Sequence, residues 1–146
     1  QGLSCTGWDI SQASLDSTKH ALATFGVSAD LELVDLFAAS APAADFDSIV
    51  FAEVLEHLDE PERGLAAIRK LLKPETGRLY IHVPINSPAP DHLFNQPTPE
   101  AMAGFVASQG YNVVDQEFFP STNLTIERAR RTSSAISIVL ICQRAE

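Results

Sequence analysis

Two periods of apolar and polar positions run through this chain. Continuous or alternating apolar runs, the pattern of strands, fall at Leu3 to Ile10, Leu31 to Phe37, the first half of Phe46 to Leu58, Arg78 to Val83, Tyr111 to Val114 with an extension toward Phe119, and Ala135 to Cys142. Between them the period lengthens to about 3.6. Leu15, Leu22 and Phe25 follow a capping Ser11 and stop at Gly26. Leu65, Ile68, Leu71 and Leu72 follow the start signal Asp59 with Glu62 and end at Lys73-Pro74. Met102, Phe105 and Val106 lie between the cap Thr98, with Pro99 at the first helical position, and Gly110. The order is strand-helix-strand, strand-helix-strand, helix-strand-strand. It predicts an α/β domain whose sheet is mostly parallel, with one antiparallel strand at the end and no helix required between the last two strands.

Two connections stand out. Ala38 to Ala44 is a loop of small residues with Pro42, and Pro84 to Pro97 carries four prolines, two asparagines and His92, which predicts an extended, irregular path. Loops of that length usually have a function.

The stretch Phe46 to Leu58 organises the rest. Its strand half is followed directly by Glu53, Glu56 and His57, and ligands of open parallel sheets bind beyond the carboxyl ends of the strands. Spacing of i, i+3 and i+4 on a helix puts the three on one face. Two carboxylates and an imidazole can hold a divalent cation, magnesium, manganese or iron, with His92 from the proline-rich loop as the further ligand. The plainer readings are a first-turn acid at Glu56 favoured by the helix dipole, and a His57 that bonds a backbone group or serves as a general base without metal. His82 inside an apolar strand and His20 on an exposed helix face read as structural. A metalloprotease is excluded, because its motif needs histidine where Glu53 stands. Asp9, at a strand end, is placed to accept hydrogen bonds from a ribose, or else is a turn residue.

Composition narrows the class. At 146 residues the chain is one domain by length, and its hydrophobic content of 45% is that of a globular protein. No apolar run approaches the roughly 18 residues that a spanning helix needs, and the start lacks the pattern of a signal peptide. Cys5 and Cys142 lie in separate strand-like runs without metal spacing, which predicts reduced, buried thiols and a cytoplasmic setting. A net charge of −9 argues against a broad nucleic-acid footprint and for a small-molecule ligand. Glu127-Arg128-Ala129-Arg130-Arg131 is the one basic cluster, read as a solvated loop or a contact to an acidic substrate group; Asn123-Leu124-Thr125 matches a glycosylation pattern by coincidence.

Taken in order, Thr6-Gly7-Trp8-Asp9-Ile10-Ser11, Phe46 to Leu58, Leu71-Leu72-Lys73-Pro74 with Gly77-Arg78-Leu79, Asp91-His92-Leu93-Phe94 with Pro97-Thr98-Pro99-Glu100, and Gly110 to Val114 resemble the class I S-adenosylmethionine-dependent methyltransferases. The resemblance implies a Rossmann-like sheet with S-adenosylmethionine as cofactor. It also implies that residues 1–146 are a partial methyltransferase domain, the carboxyl-terminal portion, because the family's first strand and glycine-rich cofactor loop have no counterpart here. That strand lies mid-sheet, between the second and fourth, so its loss leaves exposed edges. By the same resemblance Asp9 meets the ribose, Ile10 packs on the adenine, and Asp35 with Leu36 meets the adenine edge. Trp8 stays in the core. Members such as the RNA 3′-end 2′-O-methyltransferases and the O-methyltransferases of ubiquinone synthesis look similar in carrying Glu-x-x-Glu-His, with a metal that holds substrate hydroxyls. The implied activity is O-methylation of a small molecule, metal-assisted, with His57 and Glu53 at the catalytic centre. The rivals are an RNA 3′-end 2′-O-methyltransferase and a non-catalytic methyltransferase-like binding module.

Overall fold

The computed structural model describes residues 2–38, 45–120 and 123–146. The chain divides into two compact units, Gln1–Pro42 and Ala43–Glu146.

In the first unit, strand β1 (Thr6–Asp9) is followed by helix α1 (Gln12–Phe25) and strand β2 (Asp30–Leu33), which pairs in parallel with β1 in the register Thr6 to Asp30 through Asp9 to Leu33. Helix α1 starts where Ser11 Oγ accepts from the Ser14 amide and ends at Gly26, whose φ of 66° is the left-handed conformation that glycine adopts without strain. Leu15 is buried, but Phe25, expected to face inward, is 80% exposed. A pair of four-residue strands is too small a surface to cover the whole apolar stripe of a four-turn helix. Cys5, expected to be buried, is exposed, because it lies in the irregular chain before β1.

The second unit is built on a four-stranded sheet of order β3-β4-β6-β5, from strands β3 (Ser48–Ala52), β4 (Arg78–Ile85), β5 (Tyr111–Pro120) and β6 (Ile136–Arg144). β3 and β4 are parallel, and β6 runs antiparallel to both β4 and β5, so the last strand is the reversed one, as predicted. Helices α2 (Pro61–Leu71) and α3 (Pro99–Ser108) connect them. The core is one face of this sheet. Leu79, Ile81, Val83 and Ile85 on β4 alternate with half-buried residues, as do Ile136, Ile138, Leu140 and Cys142 on β6. With Leu65 and Ile68 of α2 and Met102 and Val106 of α3 they make the interior of the unit. The Tyr111 hydroxyl donates to the Leu65 carbonyl at 2.8 Å, tying β5 to α2. Burial pushes the Cys142 thiol up to about 12, so it stays protonated and inert.

One further expectation is corrected here, and one lies largely outside the described residues. A fourth helix, α4 (Ile126–Arg131), stands between β5 and β6, where none was required. Thr125 caps it and Ala129 is fully buried, but six residues rich in arginine carry no apolar stripe from which it could be read. The small-residue loop is described only at Ala38; residues 39–44 lie outside the described residues.

Among the described residues β1 pairs only with β2, and β3 only with β4, so each sheet has an open parallel edge. On β3 the edge is apolar: Val50 is 72% exposed in the middle of the strand.

Candidate active site

β3 does not run into a helix. Glu53 leaves the strand with φ of 53°, Leu55–His57 form a single 3-10 turn, and Leu58 returns to an extended conformation. The reason is Pro61. A proline disfavours helical backbone in the residue before it, so the helix cannot pass back through Glu60 and starts at Pro61, one residue later than Asp59 as cap would place it. The two acids and the imidazole therefore do not share one helical face. In the tighter turn Leu55 and Glu56 point into the core while Glu53 and His57 remain exposed. Leu58 packs closely on α2: a Cβ on Gly64 would stand 2.6 Å from Leu58 Cδ1, so a larger residue there would have to displace the Leu58 side chain.

Glu53 is drawn the other way. Its amide donates to the His82 carbonyl at 2.9 Å, and its Oε1 lies 2.9 Å from His82 Nδ1. The β3–β4 register sets Ala52 opposite His82, so the residue after Ala52 reaches that imidazole. His82 is thus a partner at the site, which its place in an apolar strand did not suggest.

Glu56 is fully buried, and among the described residues neither of its carboxylate oxygens has a hydrogen-bond partner. Burial raises its pKa above the ordinary carboxylate value. His57 lies beside it, with Nε2 3.8 Å from Glu56 Oε1. His92, from the proline-rich loop, has its ring centroid 5.4 Å from that of His57, edge to face. One ligand atom each from Glu56, His57 and His92 can be chosen so that all lie within 4.8 Å of one another. This trio is what the fold brings together; Glu53, expected among the ligands, is outside it.

Both imidazoles are oriented through the same atom. His57 Nδ1 lies 2.8 Å from the Asp91 carbonyl, and His92 Nδ1 lies 2.7 Å from the Ser87 carbonyl. A carbonyl only accepts, so each Nδ1 carries the hydrogen and each Nε2 presents a lone pair, the arrangement found around metal-bound histidines. The bond to Asp91 also raises the His57 pKa. A buried carboxylate without a donor is costly, and two imidazole lone pairs beside it make a set that fits a divalent cation.

In the first unit, Asp9 and Asp35 stand at or beyond the carboxyl ends of the neighbouring strands β1 and β2. Asp9 Oδ1 accepts from the Ser11 amide at 2.7 Å, and Asp35 Oδ1 accepts from the Phe37 amide at 2.8 Å. Both are turn residues in that respect, each bonded through its Oδ1. Ile10 is 75% exposed and Leu36 half-buried, an open apolar surface beside the two acids.

The basic cluster forms part of α4. Arg130 donates to both carboxylate oxygens of Glu100, at 3.1 and 3.0 Å, which fastens α4 to the start of α3. Thr125 of the glycosylation-like triplet is the cap of α4.

A family model described as a methyltransferase domain matches residues 1–79. A ubiquinone biosynthesis O-methyltransferase from Thiobacillus denitrificans is 36% identical over 75 residues, which are 50% of this chain and 32% of that enzyme. Among solved structures, a (4+2)-cyclase superposes with a TM-score of 0.77 at 16% identity, over 98% of this chain and 66% of its own. A 1,6-didemethyltoxoflavin N1-methyltransferase from Burkholderia thailandensis, with bound 1,6-didemethyltoxoflavin and S-adenosylhomocysteine, gives 0.70 at 19% identity, over 97% of this chain and 61% of its own. These likenesses show a Rossmann-like methyltransferase fold, and the chain spans less than two thirds of the length of each of these relatives.

Proposed function

That this chain belongs to the class I S-adenosylmethionine-dependent methyltransferases is the premise from which we propose that it takes part in methylating an oxygen of a small molecule, assisted by a divalent metal. The observation that carries the metal is the buried, partnerless carboxylate of Glu56 beside the two Nε2 lone pairs of His57 and His92. Two nitrogens and one oxygen favour iron or manganese over magnesium, which prefers oxygen donors.

The cofactor supplies a methyl group already activated on a sulfonium, so the protein has to align it with the acceptor and manage one proton. Asp9 binds the ribose through the oxygen that Ser11 leaves open, Asp35 meets the adenine edge, and Ile10 and Leu36 give the ring its apolar contacts. Glu56, His57 and His92 would hold the metal, which would supply the charge that lowers the pKa of an acceptor hydroxyl. Glu53, paired with His82, stands at the strand end as the exposed carboxylate that helps take the proton away. In this reading a further parallel strand with a glycine-rich loop, supplied by an amino-terminal segment, pairs with the open edge of β3.

Calorimetric titration with S-adenosylmethionine, on the chain joined to such an amino-terminal segment, tests the cofactor. Transfer of labelled methyl to a panel of hydroxylated small molecules, with manganese or with a chelator, tests the reaction. No binding heat, or no transfer to any oxygen acceptor, would sink the proposal. Transfer unaffected by chelator would leave His57 as a metal-free general base. Labelling of RNA 3′ ends instead would favour the RNA reading, which shares the later histidine but not the acidic balance of this chain.

A further inference from the structure

The proline-rich loop does more than deliver His92. Asp91 holds His57 through its carbonyl, Ser87 holds His92, and the Phe94 amide donates to the Glu56 carbonyl at 3.0 Å. One loop thus contacts each member of the trio, and the loop itself is fixed at its root by Asn86. The Asn86 amide nitrogen of the side chain donates to the carbonyls of Ala129 and Ser134, both at 3.0 Å. The Asn86 backbone amide donates to the Gln96 carbonyl at 2.8 Å, closing the loop at its far end. Asn86 adopts φ of 51°, a left-handed conformation that asparagine tolerates better than most residues. The next residue is Ser87, whose amide donates to Asn95 Oδ1 at 3.1 Å, so the carbonyl that receives His92 is fixed from both sides.

We propose that Asn86 is a positioning residue for the metal-binding trio: by clamping the loop root to the α4–β6 segment and to Gln96, it aims the Ser87 carbonyl and thereby fixes which nitrogen of His92 faces Glu56. Nothing in the loop beyond Asn86 bonds α4 or β6 among the described hydrogen bonds, so the clamp is concentrated at this one side chain. The inference rests on the reading of Glu56, His57 and His92 as metal ligands, but its immediate consequence, the tautomer of His92, does not require a metal.

The substitution Asn86→Gly tests it, because glycine keeps the left-handed backbone and removes only the side-chain bonds. Two-bond nitrogen-proton correlation spectra of the metal-free chain read the tautomer. The wild type is expected to show His92 protonated on Nδ1, and Asn86→Gly a mixture of both tautomers; Asn95→Ala, a milder change at an exposed residue, is expected to shift it in the same direction. Titration with manganese gives the second readout, with affinity expected to fall about 10- to 100-fold in Asn86→Gly, the range for orienting partners of metal ligands. Unchanged tautomer and unchanged manganese affinity in a folded Asn86→Gly protein would overturn the proposal. Should Asn86→Gly fail to fold, Asn86→Asp, which keeps the shape of the side chain and loses its donor, is the second test, and an unchanged His92 tautomer there would overturn the proposal. A wild type that takes up no manganese would sink the metal reading alone, and the tautomer would still decide the role of Asn86.

Discussion

A carboxylate cut off from solvent, with no hydrogen-bond partner for either oxygen among the described residues, works against the fold that contains it. Glu56 is such a group, and its raised pKa has a definite sign for stability. The folded chain holds the proton more tightly than the unfolded chain, so the stability tied to this proton is fully present below the ordinary glutamate range and is lost as pH rises through the raised value. His57, whose pKa the Asp91 carbonyl raises, adds in the same direction at higher pH, since its proton too is bound more tightly in the folded state. The metal-free protein should therefore lose thermal stability between mildly acidic and alkaline pH. Glu56→Met, which replaces the buried charge by an apolar side chain of similar length, should stabilise the metal-free chain at pH 8 by about 1 kcal/mol or more and flatten the profile. It should also abolish manganese uptake, and melting curves across pH with and without the ion check both outcomes. A variant as unstable at pH 8 as the wild type would mean that the carboxylate has found a partner in solution.

Among the elements, the one that decides the site is the break between β3 and α2. Pro61 keeps α2 from growing backward and so leaves room for the 3-10 turn that buries Glu56. Pro61→Ala should cost about 0.5–1 kcal/mol through the freer unfolded chain. By letting the helix extend it should also weaken manganese binding, a loss that calorimetry would show. Tyr111→Phe is the contrasting case. It removes the bond from β5 to the Leu65 carbonyl of α2 far from the trio, and should lower stability by about 1 kcal/mol with metal affinity unchanged. A fall in affinity there would mean that the placement of α2, more than Pro61, controls the turn.

At the level of the molecule, the two units differ sharply in what they bury. Among the described residues, Leu15 is the buried hydrophobic residue of the first unit, whereas the second holds the sheet face from Phe51 to Cys142. Native-state hydrogen exchange should find the amides of β1, β2 and α1 opening at lower free energy than those of β4 and β6. The β3 amides that point to the open edge should exchange early as well, and pairing with a further strand should protect them. Uniform protection across both units would contradict this division.

The sequence by itself determined the order of the strands and of helices α1 to α3, because each is set by local periodicity and by caps such as Ser11, Thr98, Gly26 and Gly110, which act within a few residues. It also determined that the last strand is reversed, since no crossover helix of sufficient length separates it from the strand before. Glu56, His57 and His92 were legible as chemistry-bearing types after a buried strand, and the structure brings them together. Tertiary structure decided the rest. It took Glu53 out of the cluster, because the neighbour that claims it, His82, is set by the register of β3 on β4, a pairing of residues some thirty positions apart. It gave Asn86 its place under α4, a short helix with no apolar stripe to announce it. Register and long-range hydrogen bonds depend on which surfaces meet once the chain has collapsed, and no local pattern of apolar and polar residues encodes that.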